Sequence, residues 1–191
     1  MATETVERHP ALALLVNNAG IPGRGGFLDP GPERIEEVMR TNYLGSVWCV
    51  RAFLTALEAG APSAVVNIAS VAGTIAVGSS GPYAASKHAQ IAFSRSVAVE
   101  LAGTGIAVHT IKPGLIDTPG FPNRSRFRSP LLKRIVSEPE LVAERVVRAV
   151  ERHRLEQFVP HWYAPAVVAQ ALLPGLLTRA ARARDSRARR T

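Results

Sequence analysis

Three short, almost wholly apolar runs set the tightest limit on what this chain can fold into: Leu12 to Val16 (LALLV), Ala64 to Ala69 (AVVNIA) and Ile106 to Ile111 (IAVHTI). A strand with one face in water alternates apolar and polar residues. A strand covered on both faces does not, and such strands characterise parallel sheets. Parallel strands need long crossovers, and the stretches between the runs supply helices. Pro32 to Ala59 carries Ile35, Val38, Met39, Val50, Phe53, Leu54 and Leu57 at helical spacing, and Gly60 fits a C-terminal cap. Pro82 to Ala102 is alanine-rich, with Pro82 at a first-turn position. Ser137 to Glu140 (SEPE) has the form of a capping box ahead of Leu141, Val142, Val146, Val147 and Val150. Phe158 to Pro160 reads as a short fourth strand. This alternation predicts an α/β fold, a doubly wound parallel sheet built from right-handed βαβ units.

Composition narrows the class. The chain has 191 residues, 47% hydrophobic and 20% charged, as expected of one globular domain. We expect that domain to span residues 1–178, followed by a basic, solvated tail over 179–191. The net charge of +8 is concentrated in two places, the arginines from Arg179 to Arg190 and the cluster Arg124, Arg126, Arg128, Lys133 and Arg134. No aromatic residues interleave with the tail arginines as a nucleic-acid stacking surface requires, so no nucleic-acid partner is expected. The single cysteine, Cys49, rules out a disulfide framework and a cysteine-rich metal site, and no metal is expected. The apolar stretch from Ala164 to Leu177 is broken by Pro165, Gln170, Pro174 and Gly175, so no transmembrane segment is expected; neither is a secretory leader, and the expected location is cytoplasmic.

In a doubly wound sheet, ligands bind beyond the carboxyl ends of the strands. The polar residues that close the runs are therefore the candidates: Asn17 and Asn18, Ser70, then Pro113 and Gly114. Tyr83 and Lys87 are four apart on a helix and share a face. A neighbouring ammonium favours a phenolate, so the pKa of Tyr83 is expected to fall below its usual value of about 10. Such a group exchanges protons near neutral pH. A tyrosine–lysine pair at this spacing is common on exposed helix faces; its combination with the strand ends gives it weight.

The combination resembles the classical short-chain dehydrogenases/reductases. The matching segments are NNAG at Asn17 to Gly20, Thr41-Asn42, NIAS at Asn67 to Ser70, YAASK at Tyr83 to Lys87, and PGLIDT at Pro113 to Thr118. Their order and separations fit, and the resemblance is strong from Leu12 to Thr118. It implies a Rossmann-like fold and an NAD- or NADP-dependent exchange between an alcohol and a ketone or aldehyde. It further implies a catalytic tetrad. Tyr83 would exchange the proton, Lys87 would lower its pKa and bind the nicotinamide ribose, Ser70 would orient the substrate oxygen, and Asn42 would hold a water leading to Lys87. Asn17, Asn18, Ala19 and Gly20, with Tyr83 and Lys87, would face the cofactor, and Pro113, Gly114, Ile116 and Thr118 would surround the nicotinamide. Family members commonly associate through the two helices here expected at Pro32 to Ala59 and Pro82 to Ala102, so a homo-oligomer is implied.

Such proteins open on a strand and a TGxxxGxG turn, and this sequence has neither ahead of NNAG. The glycines Gly20, Gly23, Gly25 and Gly26 have the wrong spacing for that turn and read as a loop. The sheet is accordingly expected to be incomplete, lacking its first βαβαβ part of about 60–80 residues, with Leu12 to Val16 left as an apolar edge. Thr3 to Arg8 would be the end of the preceding helix. The resemblance places the acidic or basic residue that selects NAD or NADP in that expected missing part. Two readings are open: a fragment of an oxidoreductase, or a truncated protein that is non-catalytic or depends on a partner. Pro119 to Ser137 takes the position of a substrate loop, and Trp162 to Leu177 either covers a hydrophobic substrate or completes the core.

Overall fold

The computed structural model describes residues 2–23, 25–75, 81–118, 129, 133 and 135–175. Most of the substrate-loop segment and the whole arginine-rich tail lie outside the described residues. The elements are α1 (Ala2–Arg8), β1 (Leu14–Asn17), α2 (Pro32–Met39), α3 (Gly45–Ala59), β2 (Ser63–Ile68), α4 (Gly81–Glu100), β3 (Ile106–Pro113), α5 (Pro139–Glu151), β4 (Glu156–Val159) and α6 (Ala164–Leu172). The four strands form one sheet in the order β1-β2-β3-β4, parallel at every pairing. The α/β fold is the expected one. No helix among the described residues is long and apolar enough to cross a membrane.

Burial explains the unbroken apolar runs. Side chains alternate across a strand, and in β2 both sides are covered. Val65 packs with Val50 and Leu57 of α3 and Val97 of α4. Its neighbour Val66 faces the opposite layer, where Ile111, Ala149 and Val159 meet the apolar face of α5. The sheet is thus sandwiched between α3 and α4 on one side and α5 on the other. β1 is the exception: Leu14 and Val16 remain 45% and 43% exposed, an apolar edge as expected.

Two local expectations are corrected. The stretch from Pro32 to Ala59 is not one α-helix. A π-helical turn, Arg40–Leu44, separates α2 from α3, with the Gly45 N–H bonding five residues back to the Arg40 carbonyl. Nor does Ser137 cap α5. Its backbone is held in an extended bridge opposite Ile116, donating to Leu115 O and accepting from Asp117 N. The residue before the helix is instead Glu138, which makes no side-chain cap.

Candidate active site

The carboxyl ends of β1, β2 and β3 open onto one cavity of about 700 Å³. Asn18, Gly20, Ser70, Tyr83, Lys87, Pro113, Gly114, Ile116 and Thr118 all line it. These residues come from separate segments of the chain, and the parallel sheet brings them to one rim because each segment closes a strand or opens the helix after it.

Ser70 follows β2 in an extended conformation, and its hydroxyl caps the short turn Val71–Gly73 by accepting from Ala72 N. That cap fixes the hydroxyl beside Tyr83. Tyr83 lies in the first turn of α4, one turn ahead of Lys87. Lys87 is only 4% exposed, and its ammonium donates to Ile68 O at 2.8 Å and to Gln90 Oε1 at 2.9 Å. An ammonium has three N–H donors, and among the described residues only two of them have a partner.

The expected effect on Tyr83 is reversed. Burial raises its phenol above the usual value, and the hydrogen bond with Ser70 draws it only part of the way back. Lys87 is itself shifted by burial, down to about 8. Its nitrogen lies 6.0 Å from the centre of the tyrosine ring. Burial of the phenol, not the ammonium at that range, sets the direction of the shift.

Three expected site residues do not line the cavity. Asn17 is buried and donates to Asn67 Oδ1, while Asn67 donates to Ser94 Oγ, so its side chain ties β1 to β2 and α4. Ala19 is exposed and is not among the residues that line the cavity. Asn42, fully buried, sits in the π-helical turn. Its Oδ1 accepts from Ile21 N, and its amide nitrogen donates to Ile21 O and Ser86 Oγ. It therefore clamps the turn that follows β1. Close to that clamp, a Cβ built at Gly20 would lie 3.4 Å from Asn42 Oδ1 and 3.7 Å from Lys87 Nζ. Glycine there keeps the space next to the ammonium open.

Sequence reasoning missed Gln90 and Tyr163. Gln90 links Lys87 to Ser46 through its own amide; the available signal was the stripe Ser86, Gln90 and Ser94 at four-residue spacing on α4. Tyr163 packs its ring where a Cβ on Gly114 would fall and accepts from Leu115 N. No local pattern marks that contact. Pro139, Val142, Ala143, Val146 and Val147 of α5 supply an apolar wall opposite Ser70.

The short chain dehydrogenase family matches residues 1–128, two thirds of the chain. The chain belongs to that family. Among curated relatives, a ketoacyl reductase of Nostoc sp. is 33% identical over 146 residues, covering 76% of this chain and 50% of the relative. A 2-(R)-hydroxypropyl-CoM dehydrogenase of Xanthobacter autotrophicus is 40% identical over 118 residues, covering 60% of this chain and 47% of the relative. The chain spans about half the length of the curated relatives it matches. Among solved structures, a short chain dehydrogenase from Burkholderia cenocepacia in complex with NADP superposes with a TM-score of 0.79 at 25% identity, covering 92% of this chain and 71% of that one. A 3-oxoacyl-[acyl-carrier protein] reductase from Brucella melitensis in complex with NAD gives 0.68 at 28% identity, covering 76% and 62%. This dehydrogenase-family chain therefore shares its fold with enzymes solved in complex with NADP or NAD.

The donor set around Lys87 fits the nicotinamide–ribose end of such a nucleotide. The ammonium lies beside Gly20, and Gly20, Lys87, Pro113 and Gly114 all line the same cavity. For the phosphates, the sequence offers no TGxxxGxG turn.

Proposed function

We propose that this chain carries the proton-transfer half of an NAD- or NADP-dependent oxidoreductase that interconverts an alcohol and a ketone or aldehyde. The carrying observation is the convergence of Ser70, Tyr83 and Lys87 on one cavity, with one ammonium donor left without a partner among the described residues. When bound, the nicotinamide supplies or takes up the hydride at the carbonyl carbon. Lys87 holds the ribose hydroxyls with its third N–H. Tyr83, whose phenol burial shifts further toward the protonated form, donates its proton to the carbonyl oxygen as that oxygen becomes a hydroxyl. Ser70 donates a hydrogen bond to the same oxygen and opposes the charge that develops there. Asn42 acts through Ile21 and Ser86, keeping the turn after β1 clear of the ammonium. Asn18, Gly20, Pro113, Gly114, Ile116 and Thr118 shape the nicotinamide side. Trp48 on α3 and Val99 on α4 are exposed apolar side chains, which supports self-association through those helices.

The test uses the full chain with NADH or NADPH and acetoacetyl-CoA, a probe chosen because ketoacyl reductases are among its relatives. Tyr83→Phe is expected to lower turnover about a thousandfold while nucleotide binding persists. Unchanged turnover in Tyr83→Phe would overturn the assignment.

A further inference from the structure

Away from the cavity, a cluster of arginines among the described residues lies beside β4. Arg145 and Arg148, three residues apart on α5, share a helix face, and Arg152 follows at the helix's C-terminal cap. With Arg154 and His161 they line a second pocket of about 350 Å³. Glu156 is the one carboxylate in that wall, and it is already paired with Arg95 and Lys112. Arg148 approaches Glu144 only to 3.7 Å. Among the described residues, no ion pair or hydrogen bond engages the guanidinium groups of Arg145, Arg152 and Arg154. The backbone holds two of these arginines in place under strain. His153, between them, has φ +50°, a left-handed conformation that favours glycine. Arg154 N returns to Ala149 O, and the buried His109 donates from Nδ1 to Arg154 O.

An apolar helix begins at the same pocket. None of the residues of α6 (APAVVAQAL) is buried. Ala164, Val168 and Leu172 are four apart and form one stripe. Ala164 lines the arginine pocket, whereas Val168 and Leu172 are 56% and 74% exposed. Trp162 and Leu173 flank the stripe and are also exposed. One continuous surface is thus strongly basic at one end and apolar along the other.

A second copy of the chain would cover the stripe, but a two-fold axis through the arginine pocket would set arginine against arginine. An acidic protein surface would meet the arginines and leave the leucines in water. Phosphates layered above acyl chains satisfy both ends. We infer that this face docks on an anionic lipid bilayer, with lipid phosphates at the arginine pocket and Trp162, Val168, Leu172 and Leu173 at the acyl boundary.

The experiment is flotation of the full chain with phosphatidylcholine vesicles, with and without phosphatidylglycerol. Binding is expected with phosphatidylglycerol and is weak without it. Arg148→Gln combined with Arg152→Gln lowers partition about thirtyfold, and Leu172→Glu combined with Leu173→Glu lowers it on the order of a hundredfold. Circular dichroism of both variants checks that the fold persists. Absence of binding to the anionic vesicles would overturn the inference. So would binding that survives the leucine changes, which would place adhesion in the arginines from Arg179 to Arg190. A wild-type oligomer that ignores vesicles and becomes monomeric on the leucine changes would overturn it as well, marking the face as a self-interface.

Discussion

Lys87 and Lys112 are both nearly inaccessible, 4% and 3% exposed, yet their surroundings are opposite. Lys112, on β3, has a carboxylate partner: its ammonium lies 2.6 Å from Glu156 and 4.0 Å from the centre of the Phe158 ring. Among the described residues, Lys87 has only neutral acceptors, the Ile68 carbonyl and the Gln90 amide. A buried cation beside an anion is a structural fastening. One without an anion is forced toward neutrality, and burial draws Lys87 down to about 8. The second arrangement costs stability and creates a group that titrates in the working range of an enzyme.

Removing each lysine's function should expose the contrast most strongly. Lys87→Met is expected to lower turnover about a thousandfold, measured with the same acetoacetyl-CoA assay. It should also alter the dependence of stability on pH. The native pKa of Lys87 is depressed from 10.5 to about 8, so the unfolded chain binds more protons between those values. Its charge therefore costs up to about 3 kcal/mol below pH 8, a cost relieved as pH rises toward 10.5. Urea denaturation should show the wild type gaining stability across that window and Lys87→Met failing to do so.

The next largest effect is expected at the other lysine. Glu156→Gln leaves Lys112 buried without its counterion and should destabilise the fold by about 2 to 3 kcal/mol, with turnover per folded molecule little changed. Glu156 is held down at about 2, by the Arg95 hydrogen bond first and by Lys112 after it. Its contribution is present in full above pH 4.5 and lost as pH falls toward 2. Acid denaturation curves of the wild type and Glu156→Gln should converge there.

Gln90→Glu would give Lys87 the kind of partner that Lys112 has. The lysine's pKa should return toward 10.5, moving the alkaline limb of the pH–rate profile up by about one pH unit; an unmoved limb would separate Lys87 from catalysis. The smallest change is expected from Arg95→Ala. That arginine is 62% exposed at its side chain, and its loss should cost only about 0.5 kcal/mol in thermal or chemical denaturation.

The contrast also shows what a sequence reveals. The apolar runs at Ala64 and Ile106 disclosed parallel strands because two-sided burial leaves a mark on every residue of a run; the run at Leu12 carries the same apolar pattern on a strand that is left as an edge. Ser70, Tyr83, Lys87, Pro113 and Gly114 were legible because each stands at a strand end or on a helix face of fixed period. The direction of the Tyr83 shift was not legible: spacing shows that a lysine is near but not how much water has been excluded. Glu156, remote in sequence from Lys112, gives no local sign of the pair they form. The split of Pro32 to Ala59 by a π-helical turn was hidden for a related reason. It depends on what Asn42 meets across the fold, and Ile21 and Ser86 are distant along the chain.

That turn has a consequence for how the chain tolerates change. Each residue added to a helix rotates the remainder of that helix by about 100°, so the extra residue in Arg40–Leu44 is a change of phase. It aims Asn42 at the Ile21 peptide while Ser46, one turn on, meets Gln90 beside Lys87. Deleting a single residue there would bring the two helices into one register and carry one of those contacts away from the cavity rim. Substitutions on the exposed side of this segment leave the phase intact. Length, more than identity, is what these residues must keep.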